Sequence, residues 1–131
     1  DEFPYFQNCV EQVIIKLAAW NIAPAICYES LQPTHAKSAC KLGANVYLAS
    51  VAKPANGLEK AVDHYPFIAK QYAMPVLMSN AVGFCDNFLS VGKSAVWTKK
   101  GELVGQLDDK TEGILIFDTA TEEIVLKHLN N

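Results

Sequence analysis

The chain has 131 residues, half of them apolar, with 14 acidic against 11 basic side chains and a net charge of −3. That is enough apolar material for one core in one globular unit, and a mixed, mildly acidic surface without a basic stripe excludes nucleic acid as the expected partner. No apolar run reaches membrane-spanning length, since the longest are broken at Pro24, Ser50 and Ser79, so no membrane association is expected.

The stretch before residue 13 is irregular. Its opening Asp1-Glu2-Phe3-Pro4 is acidic where a secretory signal would be basic, and it lacks an initiator methionine, as a processed or truncated piece would. Residues 13–27 read as two strands, Val13 to Trp20 and Ile22 to Cys27, turning at Asn21. Pro33 fits the first turn of a helix, where its missing N–H costs nothing. Ala36, Ala39 and Cys40 mark one face of that helix, and Gly43 ends it. Asn45 to Val51 is a short run apolar on both faces, the pattern of a strand buried in a layered α/β protein.

Ala55-Asn56-Gly57 then reads as a turn whose asparagine caps a following helix. Leu58, Ala61, Val62, Tyr65, Ile68, Ala69, Tyr72 and Ala73 recur at helical spacing, and Pro66 is expected to kink or split that helix. Pro75 to Asn80 is another strand, left through a loop at Ala81-Val82-Gly83. Ser94 to Thr98 and Glu102 to Gly105 form a hairpin closed by Lys99-Lys100-Gly101. Gly113 to Asp118 and Glu123 to Leu129 are the final strands. Strand–helix–strand–helix–strand followed by a hairpin is an α/β arrangement with a mixed sheet. There are no repeats, low-complexity segments or interdomain linkers.

Four cysteines (Cys9, Cys27, Cys40, Cys85) are far apart and form no CxxC pair, and His35, His64 and His128 do not fall at ligand spacing. Neither a metal site nor a disulfide framework is expected, no cofactor is implied, and reduced thiols in the cytoplasm are the default. Cys27 alone stands out. It ends the apolar run Ile22-Ala23-Pro24-Ala25-Ile26 and is followed at once by Tyr28-Glu29-Ser30. A strand that ends in a cysteine and bends into a helix lifts the sulfur out of the sheet and leaves the next backbone N–H free to hold an oxyanion. Taken locally, the pattern favours the plainer reading of a small buried hydrophobe.

Four segments reverse that preference. Ile22-Ala23-Pro24-Ala25-Ile26-Cys27-Tyr28-Glu29, Leu42-Gly43-Ala44-Asn45-Val46-Tyr47-Leu48, Pro75-Val76-Leu77-Met78-Ser79-Asn80-Ala81-Val82-Gly83 and Gly92-Lys93-Ser94-Ala95 occur in order and at workable spacing. Together they resemble the carbon–nitrogen hydrolase (nitrilase/amidase) superfamily, from about Asp1 to Asp118. The resemblance implies half of a four-layer α-β-β-α sandwich, with a mixed β-sheet carrying helices on one face. It treats residues 1–131 as the C-terminal portion of a single domain whose N-terminal half is absent.

By the same resemblance Cys27 is the nucleophile. It attacks the carbon of a small carboxamide or carbamoyl compound, ammonia or an amine leaves, and water hydrolyses the Cys27 thioester. The family's first glutamate and its lysine lie upstream of this chain, and no lysine here stands in the corresponding context. Glu2 falls where a second glutamate precedes the cysteine, although a solvated terminal acid explains it equally. Tyr28 would lend its backbone N–H to the oxyanion and its ring to the pocket, and Val51 and Ala52 would border the substrate. Asn80 would support the site or its loop, with a turn-capping asparagine as the equal alternative. Glu29 stands where the family has an acid beside the elbow, in a structural role. An Arg-Phe-Pro-Glu stretch usually follows, but here it is Leu31-Gln32-Pro33-Thr34, so an ion pair near the elbow is not implied. His64 is expected at a surface or interface, and Cys9, Cys40 and Cys85 in core or loop.

Amidase is the preferred activity over nitrilase. The alternatives are a catalytically incomplete fragment that needs its N-terminal complement, and an acyltransferase using the same cysteine. Family members commonly form homodimers, and Ile124-Val125-Leu126 would suit such a contact.

Overall fold

The structure is a computed structural model and describes residues 11–129. Glu2 and Cys9, and with them the expected second glutamate, lie outside the described residues.

A six-stranded mixed sheet runs in the order β1 (Ile15–Leu17), β2 (Trp20–Ile26), β3 (Val46–Val51), β4 (Val76–Asn80), β7 (Ala95–Trp97), β8 (Leu103–Gln106). The central pairs β2–β3 and β3–β4 are parallel, and the outer pairs are antiparallel. Two helices make the parallel crossovers, α1 (Pro33–Lys41) and α2 (Ala55–Tyr72). Both lie on one face. Ala36 and Ala39 from α1 share a single core with Leu58, Ala61, Tyr65 and Ile68 from α2 and with Ala23, Ala25, Tyr47, Ala49, Val76 and Met78 from the strands. This is the helix-covered mixed sheet that the resemblance implies, two layers of the four.

The opposite face carries Ile26, 57% exposed, and Leu48, 36% exposed. With Pro24, Leu77, Ser79 and Leu115 they line a groove of about 410 Å³. The strand at 45–51 was expected to be buried on both faces. The helical face is buried throughout, whereas on the other face Val46 is buried but Leu48 and Ser50 are exposed.

Several boundaries depart from the sequence reading, each for a local reason. The first hairpin turns at Ala18-Ala19, not at Asn21: Leu17 pairs with Trp20, and Ala18 takes φ 53°, a turn with no glycine or asparagine to announce it. Asn21 instead ties β2 to the start of β3, its side chain donating to the Gly43 carbonyl (3.0 Å) while its N–H donates to Asn45 Oδ1 (2.7 Å). Pro54 is the residue flanking α2, so Asn56 lies inside the helix and is not its N-cap, although its Oδ1 accepts the Gly57 N–H (2.9 Å). The helix runs through Pro66 unbroken. The proline removes only the bond to the Val62 carbonyl, on the exposed side of the helix.

The loop read at Ala81-Val82-Gly83 instead opens a further hairpin, β5 (Val82–Cys85) and β6 (Phe88–Val91). The last two expected strands are present as β9 (Gly113–Phe117) and β10 (Ile124–His128), which pair antiparallel, and β10 packs back on β8. Gly105 permits that packing, since a Cβ there would come within 2.9 Å of Ile124 Cδ1. No described helix is long and apolar enough to cross a membrane.

Candidate active site

The site forms where the three parallel strands end. Ile26 pairs with Ser50 as the last residue of the β2–β3 ladder, and Val51 pairs with Asn80 as the last of β3–β4. Cys27, Val51-Ala52-Lys53 and Asn80 therefore share the C-terminal edge of the parallel core, where open α/β sheets present their ligand-binding residues.

Cys27 leaves the sheet there with φ 49°, a left-handed conformation that non-glycine residues adopt at a cost. It is exposed, contrary to the buried-hydrophobe reading, and opens a short 3-10 helix, Cys27–Leu31. Three bonds hold the bend. Glu29 Oε1 accepts the Ile26 N–H at 3.1 Å, Ser30 Oγ donates to the Cys27 carbonyl at 2.5 Å, and Ser30 Oγ also meets the buried Tyr65 hydroxyl at 2.6 Å. The strained turn is thus tied to α2, deep in the core.

Glu29 has the structural role expected of it. Its second oxygen reaches His35 Nε2 at 3.2 Å, and His35 Nδ1 meets the Tyr47 hydroxyl at 2.7 Å. Burial, with Tyr65 and Glu29 nearby, pushes the Tyr47 phenol well above its ordinary value, so it stays neutral. A chain of carboxylate, imidazole and phenol contacts thus runs from the elbow to the core.

Tyr28 is 75% exposed, and its N–H lies in the first turn of the 3-10 helix, where such groups have no acceptor within the helix. Val51 belongs to the core cluster beneath the helices, and Ala52 is half-buried. Asn80 is buried and bonded on every side. Its Oδ1 accepts the Lys53 N–H (2.8 Å), and its Nδ2 donates to the Gly92 carbonyl (2.8 Å) and the Lys53 carbonyl (3.3 Å). Its own N–H donates to Ser94 Oγ (2.9 Å). These bonds give the Gly92-Lys93-Ser94 segment its purpose. Gly92 has φ 57° and no room for a side chain, since a Cβ would lie 2.6 Å from Val82 Cγ1. His64 is not simply a surface residue, because its Nε2 is buried with no hydrogen-bond partner and burial lowers its pKa.

Sequence reasoning missed Lys53. It is 8% exposed, and burial lowers its pKa, while Cys27 and Lys60 act on its charge in opposite directions. The available signal was a lone cation between an apolar strand and Pro54.

A helix-covered mixed sheet whose parallel strands end at an exposed, bent-out cysteine is a nitrilase-like fold. The carbon-nitrogen hydrolase family model matches residues 2–126, and the chain belongs to that family. Among solved structures it is similar to the glutamine-dependent NAD+ synthetase from Acinetobacter baumannii, at TM-score 0.79 and 22% identity, covering 100% of this chain and 25% of that one. It is also similar to an amidase from Nesterenkonia sp. AN1, at TM-score 0.73 and 15% identity, covering 95% and 43%. A CN-hydrolase superfamily protein from Xanthomonas campestris aligns at TM-score 0.70 and 18% identity, covering 92% and 44%. At such identities the likeness is one of fold. The chain spans between a quarter and a half of the length of these structures. Among curated proteins, none matches it.

Proposed function

We propose that the protein carrying this chain hydrolyses a non-peptide carbon–nitrogen bond of a small carboxamide or carbamoyl compound, with Cys27 as nucleophile. The observation that carries the reading is Cys27 itself, exposed and held at φ 49° on the C-terminal edge of the parallel core. Strain of this kind is retained where function requires it. The Cys27 sulfur adds to the amide carbon, the nitrogen leaves with a proton as ammonia or an amine, and water cleaves the resulting thioester to a carboxylate and the free thiol. The Tyr28 N–H, in the first turn after the cysteine, supplies a hydrogen bond to the oxyanion in this reading. The proton-transferring glutamate and the lysine belong, by the family resemblance, to sequence upstream of this chain. In a mutant of the amidase from Nesterenkonia sp. AN1 the acetamide moiety of fluoroacetamide is added covalently at the active-site cysteine, which is the kind of adduct expected here.

The test is Cys27→Ala in the full-length protein, paired with intact mass and peptide mapping after incubation with a haloacetamide. The expected result is loss of turnover with an unchanged fold, and labelling of Cys27 ahead of Cys9, Cys40 and Cys85. Turnover that survives the substitution removes Cys27 from its role.

The open sheet face favours a second reading, of the chain by itself. Ile26 and Leu48 on that face suit a further sheet layer, so the 131 residues alone form an incomplete unit that associates through this surface. An inactive isolated chain, activated by adding its complementary half, is the expected outcome; a folded, active monomer of the chain overturns it. Acyl transfer would use the same thioester with another acceptor and is separated from hydrolysis by product analysis. A homodimer through the C-terminal hairpin, where Val125 and Leu126 are exposed, is checked by light scattering of the full-length protein.

A further inference from the structure

His35 lies in the first turn of α1, and both nitrogens of its ring are engaged. Its Nε2 is 3.2 Å from Glu29 Oε2, and its Nδ1 is 2.7 Å from the Tyr47 hydroxyl. The two rings meet edge to face with centroids 5.7 Å apart. The backbone is held as well: the His35 N–H donates to the Gln32 carbonyl at 3.0 Å, and its carbonyl accepts the Gln12 side chain at 3.2 Å. These partners assign the proton. A carboxylate only accepts, so Nε2 carries the hydrogen and donates to Glu29. In the neutral ring Nδ1 is then the acceptor, and the Tyr47 hydroxyl, which burial keeps neutral, donates to it.

The other end of this chain is the backbone of the elbow. Glu29 Oε1 accepts the N–H of Ile26, the residue before Cys27, at 3.1 Å. That bond spans Cys27 and Tyr28, which carry the sulfur and the N–H next to it. By itself it is a weak restraint. The bond is exposed, the Glu29 side chain is 45% accessible, and water competes for both of its ends. A free glutamate also loses rotamer freedom in keeping one geometry. His35 removes that freedom in advance, because it holds the second oxygen from a ring anchored on the fully buried Tyr47. Cys27 at φ 49° persists only where its surroundings over-determine it. Ser30 restrains its carbonyl, and Glu29, steadied by His35, restrains the N–H before it.

Resting on the hydrolase reading above, we propose that His35 is a positioning residue for the Cys27 nucleophile. Held as the Nε2–H tautomer by the Tyr47 hydroxyl, it keeps Glu29 on the Ile26 N–H and so keeps the sulfur and the Tyr28 N–H in the arrangement that attack requires. It acts through Glu29 and not on the substrate, so its loss falls on the chemical step. A misplacement of about 1 Å in such an arrangement costs up to about a hundredfold in rate.

The experiment is a double-mutant cycle on the full-length protein with butyramide, reading kcat and KM separately. His35→Phe is expected to lower kcat about tenfold or more and to change KM by less than about twofold. His35→Gln, whose amide N–H takes the place of Nε2, is expected to recover most of that loss. Added to Glu29→Ala, His35→Phe is expected to lower kcat no further, since the two act as one unit. An unchanged kcat in His35→Phe, a loss carried by KM, no recovery in His35→Gln, or full additivity of the two losses overturns the proposal. Tyr47→Phe decides the case in which His35→Phe does not fold: kcat is expected to fall about threefold or more, and an unchanged kcat overturns the proposal. Nitrogen NMR of the parent, assigned against His35→Gln, is independent of turnover. A protonated Nε2 and a bare Nδ1 are expected, and a proton on Nδ1 overturns the assignment. Failure of the hydrolase reading would appear separately, as turnover that persists in Cys27→Ala.

Discussion

The carboxamide of Asn80 closes on the backbone of Lys53 from both sides, accepting its N–H at 2.8 Å and donating to its carbonyl at 3.3 Å. One buried side chain thereby joins the end of β4 to the loop after β3, and its third bond reaches Gly92. Asn80→Leu leaves the Lys53 N–H and the Gly92 carbonyl without these partners, at an expected cost of about 1–3 kcal/mol. Denaturant unfolding of the full-length protein measures the stability loss. A variant as stable as the parent would show that the clamp is dispensable.

Cys27 sits in a backbone conformation suited to glycine. Cys27→Gly is expected to be inactive yet as stable as the parent or slightly more so, by up to about 1 kcal/mol, because relief of left-handed strain outweighs the added chain entropy. Cys27→Val is expected to lose about 1–3 kcal/mol, since a β-branched residue tolerates this conformation worst. Equilibrium unfolding ranks the three proteins, and a valine variant equal to the glycine one would count against strain at the elbow.

Ser30 links that elbow to the core through the Cys27 carbonyl and the Tyr65 hydroxyl. Ser30→Ala strands a fully buried phenol. A loss of about 1–3 kcal/mol is expected, together with a fall in kcat as the Cys27 carbonyl is released. Tyr65→Phe leaves Ser30 its bond to Cys27, so its effect on kcat should be the smaller. Steady-state kinetics on the pair separates the two bonds.

Burial lowers the pKa of His64, whose Nε2 has no partner. The unfolded chain then takes up the proton first as pH falls. Stability is full above the ordinary histidine value near 6.5 and declines as pH drops through it towards the folded value. Unfolding free energies between pH 8 and 5 should show that decline, and His64→Phe should flatten it. An identical slope in the variant would assign the acid sensitivity to another group.

Hydrogen bonds from the Thr111 hydroxyl and N–H and the Lys110 N–H hold the Asp108 carboxylate down at about 2, with His128 assisting. A depressed folded value means stability that is complete above the unfolded value near 4 and is lost as pH falls towards 2. Asp108→Asn should be the less stable protein at neutral pH and should lose less between pH 4 and 2. Acid titration of tryptophan fluorescence in the two proteins checks the sign.

Much of this molecule was legible in the order of its residues. Strand alternation, Pro33 at a helix start, Gly43 at its end and the apolar recurrence from Leu58 to Tyr72 are local signals, and local signals set the β–α–β–α–β order and put Cys27 at a strand end. The turn at Ala18-Ala19 and the hairpin at 82–91 escaped because neither has a glycine at its tip. Tertiary structure alone decided the electrostatics of the site. Lys53 lies 26 residues beyond Cys27 in the sequence, and Asn80 a further 27 beyond Lys53. The three share a site only because parallel pairing aligns the ends of β2, β3 and β4 on one edge. Burial of a charge depends on what the rest of the chain packs around it, and no local pattern encodes that. A lysine after an apolar strand reads as an exposed residue until the first turn of α2 packs against its Cβ and Cγ and leaves it 8% exposed.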